Sequence, residues 1–383
     1  MSSPVQRAPL KQISEITALV KHAAYDAGFE LAGIAPVRDF DELKYFPKWI
    51  QAGHAGEMKY MEARDEAGQL KRASLRSSAP WTRSVIVCAI NYNTAHPYST
   101  QVDDSRRGWI SRYAWSREDY HDTVMRRLRA VENRLREVVW QRGQDALATA
   151  VETPALQSRC YVDTGPLIER VYAKYAGVGW IGKNTCVLNQ KLGSWLFLGV
   201  ILTSLELQAD VPAPDRCGSC TRCIEACPTD ALIAPYQLDS NKCISYLTIE
   251  KRGAIPEDIR EGIGRQVFGC DICQDVCPWN RKAPATSAPE FQARGGFVNP
   301  ALDWLAAMNE EEFREQFRAS PIRRTKRSGL RRNAVIAMGN SRNGKFLPNL
   351  KKLVADEDAV VAESARWAIG RLADSTSEKM SGN

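Results

Sequence analysis

Eight of the 11 cysteines of this chain fall between Cys217 and Cys277. The first run reads Cys217-x2-Cys220-x2-Cys223-x3-Cys227-Pro228, Cys243 follows alone, and the second run reads Cys270-x2-Cys273-x3-Cys277-Pro278. A cuboidal 4Fe-4S cluster needs four thiolates converging on one small object. Two intervening residues let successive turns of a loop aim three sulfurs at its corners, and in two-cluster ferredoxins the cysteine before proline serves the other cluster. That rule assigns Cys217, Cys220, Cys223 and Cys277 to one cluster and Cys227, Cys243, Cys270 and Cys273 to a second, with none of the eight left over. Two structural zinc ions would more often show separate cysteine pairs. A disulfide framework suits a short secreted chain rather than this one. Cys88, Cys160 and Cys186 stand singly in apolar surroundings and read as small buried hydrophobes.

Three further stretches could do chemistry. Tyr161-Val-Asp163-Thr-Gly165-Pro166 closes a predicted strand and leads into a helix predicted over 167–176. Asp163 would lie at the sheet edge near a helix start, where a capping role is the simplest reading. It matters because a carboxyl shielded from water can donate a proton near neutrality. Gly177-Val-Gly179-Trp180-Ile-Gly182-Lys183-Asn184 has glycines spaced as in a dinucleotide fingerprint but follows a helix, not a strand, so neither that fingerprint nor a P-loop is expected. Asp119-Tyr-His121-x-x-Val124 is similar to the Asp-x-His-x-x-Gly pattern of cobalamin carriers, yet lacks the Gly and opens a long helix. It reads as helix capping, with no His–cobalt bond. Finally, Arg323-Arg324-Thr325-Lys326-Arg327-Ser-Gly-Leu-Arg331-Arg332 carries six cations and no acid, a pattern that would make phosphate binding steeply salt-dependent.

The elements that must position these residues follow from periodicity. A helix is expected over 10–27 and another over 120–140, the latter with Val124, Leu128, Val131, Leu135 and Val138 on one face. Strands are expected at 30–35, 84–92, 147–151 and 195–203. Strands alternating with helices give an α/β layered body to about residue 205. Val211-Pro-Ala-Pro-Asp215 reads as a linker into the cysteine-rich unit. Beyond residue 300 the chain reads as helical, and Ala334-Val-Ile-Ala337-Met338-Gly339 recurs 31 residues later as Ala365-Arg-Trp-Ala368-Ile369-Gly370. With a helix predicted between them, over 346–355, this looks like a HEAT-type repeat. The 383 residues, 44% of them apolar and 25% charged, are ordinary for a globular protein of two or three domains. Residues 321–383 hold 13 basic against 6 acidic side chains, which is the whole of the net +7. A polyanion-binding tail on a neutral body is the expectation.

Taken together, the Tyr161–Pro166 and Gly177–Asn184 motifs, Gly193-Ser-Trp195, the double cysteine motif within Gly269-Cys-Asp-Ile-Cys-Gln-Asp-Val-Cys-Pro278, and the terminal repeats resemble the epoxyqueuosine reductase family, over about residues 15–373. The resemblance implies reduction of the epoxide of epoxyqueuosine, at the wobble position of tRNA, to the alkene of queuosine, with cobalamin and two 4Fe-4S clusters, and kinship with reductive dehalogenases. It implies Asp163 as proton donor at the edge of a corrin pocket formed by Arg72, Ser111, Asn184, Val187, Leu198, Ser245 and Asp271. Lys326, Arg327, Arg331 and Arg332 would grip the anticodon stem-loop. The implied organisation is a catalytic α/β domain over 1–205, a ferredoxin-type double-cluster domain over 206–290 and HEAT-like repeats over 300–383.

Two rival readings are a two-cluster ferredoxin-type electron carrier and a cobalamin-dependent dehalogenase of a small molecule. The large α/β body counts against the first, and the basic repeats have no role in the second. No secretory signal and no stretch of about 18 apolar residues is visible, so a cytoplasmic monomer without a membrane contact, fed by an unidentified electron donor, is expected.

Overall fold

The computed structural model describes residues 10–147 and 156–381. Eight strands occur among the described residues: β1 (Leu31–Pro36), β2 (Ser84–Asn91), β3 (Trp109–Ile110), β4 (Ser158–Tyr161), β5 (Trp180–Ile181), β6 (Val187–Leu188), β7 (Leu196–Thr203) and β8 (Gln266–Phe268). The helices that position the site are α1 (Leu10–Asp26), α2 (Asp41–Gln51), α3 (Tyr120–Leu147), α4 (Glu169–Tyr175), α5 (Ile244–Ile249), α6 (Lys326–Asn340), α7 (Leu347–Leu353) and α8 (Ala359–Ser381).

The main sheet has the order β1-β2-β7-β4 and every pairing in it is antiparallel. All eight residues of β2 are buried, because both faces of the sheet are covered. Ile86, Cys88 and Ile90 face α1 and α3, joining Val20, Ala24, Val124, Leu128 and Val131. Val85, Val87 and Ala89 alternate to the other face, with Leu43 of α2 and Val171 and Tyr172 of α4. A strand buried on both faces needs an unbroken apolar run, which β2 supplies. Each such Leu, Ile or Val contributes roughly 1.5–3 kcal/mol. Gly33 in β1 is required where α4 ends against the sheet, since a Cβ there would meet Ala176 O at 1.9 Å. Of the strands expected from the sequence, the one over 147–151 is not seen: α3 runs on through Leu147, and 148–151 lie outside the described residues.

The three expected segments share cores. β3 pairs in parallel with β8, across the expected boundary between body and cysteine-rich unit. One apolar cluster joins Trp109 and Trp115 to Phe268 and to Leu330, Ala334, Met338, Val361 and Ala365 of the terminal helices. Within that helical unit α6 and α8 approach closely, and a Cβ on Gly339 would lie 2.9 Å from Ala368 Cα. Among the described residues, no helix is long and apolar enough to cross a membrane.

Candidate active site and cluster sites

None of the 11 cysteines is in a disulfide. Cys217, Cys220, Cys223 and Cys277 together line one small cavity with Lys183, Asn184 and Trp279. Cys243 and Cys270 lie within electrostatic reach of Cys227, and Cys273 within reach of Cys270 and Cys243. The first foursome expected from the spacing thus lines a single cavity, and the members of the second lie near one another. Short helical turns, Arg222–Glu225 and Ile272–Asp275, curl each run around its centre. Burial pushes the Cys243 and Cys270 thiols up, and the Cys277 thiol up to about 11. Buried sulfurs of this kind give up their protons only to a cationic partner, which iron supplies. Among the described residues no three His, Cys, Asp or Glu side chains converge closely enough to hold a single ion. Cys186, expected to be an inert hydrophobe, sits beside Cys273, and that interaction pulls its thiol down.

Asp163 follows β4 in the left-handed region, φ 59°, a conformation that Asp tolerates better than most residues. It is not a cap of α4: the residue preceding that helix is Ile168, and no side-chain cap is made. The Asp163 side chain is 47% exposed, and its carboxylate is approached by the first two residues of α3. Tyr120 donates its hydroxyl to Oδ2, and His121 Nε2 stands 3.5 Å from the same oxygen. His121 Nδ1 pairs with Asp119 Oδ1 at 2.8 Å, and that oxygen also accepts the His121 N–H at 3.0 Å. Asp119 thus caps the helix as expected, and in doing so aims the imidazole at Asp163. Burial by itself would push His121 down, but the bond and charge of Asp119, with Asp163 beyond, outweigh it and raise the imidazole above its ordinary value. Behind Asp163, its N–H donates to Glu169 Oε1 at 2.8 Å.

Of the residues expected around a corrin, Arg72 and Asn184 stand at this site. Arg72 Nη2 donates to Asp163 O at 3.4 Å and Nη1 to Tyr60 O at 3.1 Å. Asn184 Nδ2 donates to Cys273 O at 3.3 Å, and its Oδ1 accepts the Cys186 N–H. Arg170, next to Glu169, donates to Thr185 O at 2.6 Å, and Asn184 beside Thr185 holds the backbone of Cys273. Val187 lies buried in β6, Leu198 lies partly buried in β7, and Ser245 is on α5. Ser111 and Asp271 are engaged with each other. Both are buried, and the Asp271 carboxylate is spent on Ser111 Oγ (2.5 Å), Trp109 Nε1 (3.1 Å) and the Arg112 N–H (2.8 Å), tying β3 to the cluster segment. A carboxylate taken out of water must be satisfied in this way, so these side chains face inward. A cavity of about 560 Å³ opens beside the loop, walled by Met61, Ile168, Trp180 and Tyr236, with Arg170 and Thr185 at its polar edge.

The basic stretch divides. Arg331 and Arg332, expected to hold RNA, are buried. Arg331 forms a two-pronged pair with Asp356 (3.1 and 2.5 Å) and donates from Nε to Ala306 O. Arg332 donates to the carbonyls of Leu247, Lys251 and Gly253. Their role is to dock α6, because an unpaired backbone carbonyl or charge inside would be costly. Lys326 is exposed, and Arg327 pairs with Glu310 and Glu357. Arg324 reaches the active-site mouth: it pairs with Glu250 at 2.5 Å, donates to Tyr60 Oη at 3.1 Å, and lies 5.5 Å over the Tyr60 ring. Arg72 lies 5.8 Å from that ring. Tyr60 is 45% exposed between the two guanidinium groups. Sequence reasoning missed Tyr60, Tyr120 and Glu169; only His121 carried a signal, and it was read as a cap.

A family model described as "Epoxyqueuosine reductase QueG, DUF1730" matches residues 72–164, and one described as a 4Fe-4S double cluster binding domain matches 216–280. The epoxyqueuosine reductase of Synechocystis sp. is 44% identical over 79% of this chain and 98% of its own length. That of Xanthomonas campestris is 37% identical over 94% of this chain and 96% of its own. A crystal structure of an epoxyqueuosine reductase with an epoxyqueuosine-modified tRNA-Tyr stem loop is similar with a TM-score of 0.79 and 28% identity, covering 94% of this chain and 90% of that one. A Bacillus subtilis epoxyqueuosine reductase whose catalytic aspartate loop is swung out of the active site is similar with a TM-score of 0.78 and 28% identity, over 94% and 90% of the two chains. This chain belongs to the epoxyqueuosine reductase family.

Proposed function

We propose that this chain reduces epoxyqueuosine to queuosine at the wobble position of tRNA, with Asp163 donating the proton to the departing epoxide oxygen. The observation that carries this reading is an accessible carboxylate, Asp163, held by Tyr120 and faced by His121. The chain carries two 4Fe-4S clusters on Cys217, Cys220, Cys223, Cys277 and on Cys227, Cys243, Cys270, Cys273. The cavity of about 560 Å³ near Ile168 and Arg170 is lined by neither Asp163 nor the residues expected around the corrin. Arg72, Asn184, Val187, Leu198 and Ser245 would contribute to holding cobalamin beside Asp163. When bound, cobalamin supplies a reduced cobalt centre able to attack carbon.

The chain's own residues do the rest. As the carbon–oxygen bond opens, negative charge grows on oxygen, and a positioned acid lowers the barrier. Tyr120 fixes the Asp163 carboxyl, and His121, held by Asp119, adds positive potential behind it. The tRNA contact moves from Arg331 and Arg332 to the exposed side of the mouth. Tyr60, flanked by Arg72 and Arg324, offers a stacking face beside cations, with Lys326 and Arg327 further along the same edge; base stacking of this kind needs an exposed aromatic ring. α6, α7 and α8 form a HEAT-type repeat that presents this edge. In this reading the segments 1–205, 206–290 and 300–383 divide the labour rather than the core, and the enzyme is a cytoplasmic monomer, in keeping with a tRNA substrate, fed by a separate electron donor.

Replacing Asp163 by Asn tests the assignment. The amide keeps the Tyr120 bond and the backbone geometry but carries no acid proton. Iron content and stem-loop affinity should stay at wild-type values while single-turnover reduction falls by about 10²–10⁴. Wild-type turnover in this variant would remove Asp163 from the chemistry.

A further inference from the structure

Deoxygenation of an epoxide to an alkene consumes two electrons and two protons and releases water. One acid accounts for one proton, so a second source must stand near Asp163. Around that loop the structure places Tyr120, His121 with Asp119, Arg72, Arg324 and Glu169. Glu169 holds the backbone of Asp163 and interacts with its carboxyl. Its Oε1 accepts the Asp163 N–H at 2.8 Å, and its own carboxyl is raised by burial and by the charge of Asp163. Asp163 has a left-handed backbone, φ 59°, a conformation that persists in a non-glycine residue only where neighbours over-determine it. Glu169 holds the N–H of that residue and Arg72 the C=O. Glu169 itself is fixed as the first residue of α4, packed on the sheet next to Val171 and Tyr172.

We propose that Glu169 is a positioning residue for the reaction: it latches the Asp163 loop inward and returns a proton to the Asp163 carboxylate after Asp163 has protonated the substrate oxygen. The proposal rests on the reading of Asp163 as donor. In proton terms, Asp163 O–H passes its proton to the opening epoxide oxygen and becomes carboxylate. Glu169 O–H then passes its proton to Asp163, which delivers it to the same oxygen as water leaves, and Glu169 regains a proton from solvent. The electron pair comes from the established reduction. Burial, and then the interaction with Asp163, push Glu169 well above the usual carboxylate range, so Glu169 still holds a proton of its own when Asp163 has given one up. The reservoir empties as pH rises through that raised value. Arg72 pulls in the opposite direction.

Glu169→Gln and Glu169→Ala separate the two parts in the anaerobic holoprotein. The amide of Gln still accepts the Asp163 N–H, so hydrogen exchange at 162–165 and stem-loop affinity should match wild type. Wild-type single-turnover reduction should decline at alkaline pH; in Glu169→Gln it should fall by about a hundredfold and lose that decline. Ala should in addition raise exchange at 162–165 at least tenfold. Glu169→Gln turning over with the wild-type rate and pH profile would overturn the proton role. Unchanged exchange in Glu169→Ala would overturn the latch. Should wild type itself fail to reduce the stem-loop, the reading of the activity fails, while the exchange comparison still decides the latch.

Discussion

Arg331 joins α6 to the loop before α8, and its loss has a computable cost. The Arg331 side chain is 6% exposed and that of Asp356 is 12% exposed, with two hydrogen bonds between them and a third from Arg331 to Ala306 O. Arg331→Ala leaves the Asp356 carboxylate buried without its cation, a defect of about 3–5 kcal/mol. Replacing both partners, as in Arg331→Met with Asp356→Leu, removes the stranded charge and should recover most of that loss. The pair also has a pH signature. Burial pushes Asp356 up, but the Arg331 bonds and the Asp358 N–H outweigh it and hold the carboxyl below its ordinary value. A depressed folded-state value stabilises the fold above about pH 4 and loses that contribution as pH falls through the folded value. Urea unfolding followed by circular dichroism, at neutral and acid pH, reads both effects. Stem-loop binding by the folded single variant should stay within about twofold of wild type, because neither group reaches solvent freely. Native stability in Arg331→Ala together with weakened RNA binding would refute the reasoning and return Arg331 to the RNA surface.

Other consequences follow from the same geometry. Arg324→Ala should weaken stem-loop binding and flatten its log–log salt dependence by about 0.7–0.9, one phosphate contact; an unchanged slope would dissociate Arg324 from phosphate. Tyr60→Ala should cost about 1–3 kcal/mol of binding with the slope intact, measured by titration at several salt concentrations. Cys277→Ser should remove the iron held with Cys217, Cys220 and Cys223 while the other cluster keeps its electron paramagnetic resonance signal, and Cys227→Ser should do the converse. Tyr120→Phe, which loses one hydrogen bond to a charged group, should slow single turnover about tenfold to a hundredfold without changing iron content.

The parts of this fold set by repetition could be read in the sequence. The apolar face of α3, from Val124 to Val138, is buried as its spacing requires, and the thiols group as the Cys-Pro rule demands. Cys186 and His121 were visible, and the capping by Asp119 was legible, but one residue's type does not reveal which distant sulfur or carboxylate it meets. Glu169 and Tyr60 carried no pattern: their partners, Asp163 and Arg324, are brought to them by the loop after β4 and by the start of α6. Arg331 and Arg332 show the opposite limit. A run of cations looks like a surface until the helix period turns two of them inward, where Asp356 and the carbonyls of Leu247, Lys251 and Gly253 wait.

The most direct test is the reaction itself. Anaerobically isolated holoprotein carrying both clusters and corrin, chemically reduced and mixed with an epoxyqueuosine-containing anticodon stem-loop, should convert it within one turnover to a product lighter by one oxygen atom, by mass spectrometry. Fully loaded, reduced protein that binds the stem-loop and leaves the epoxide intact would contradict the account.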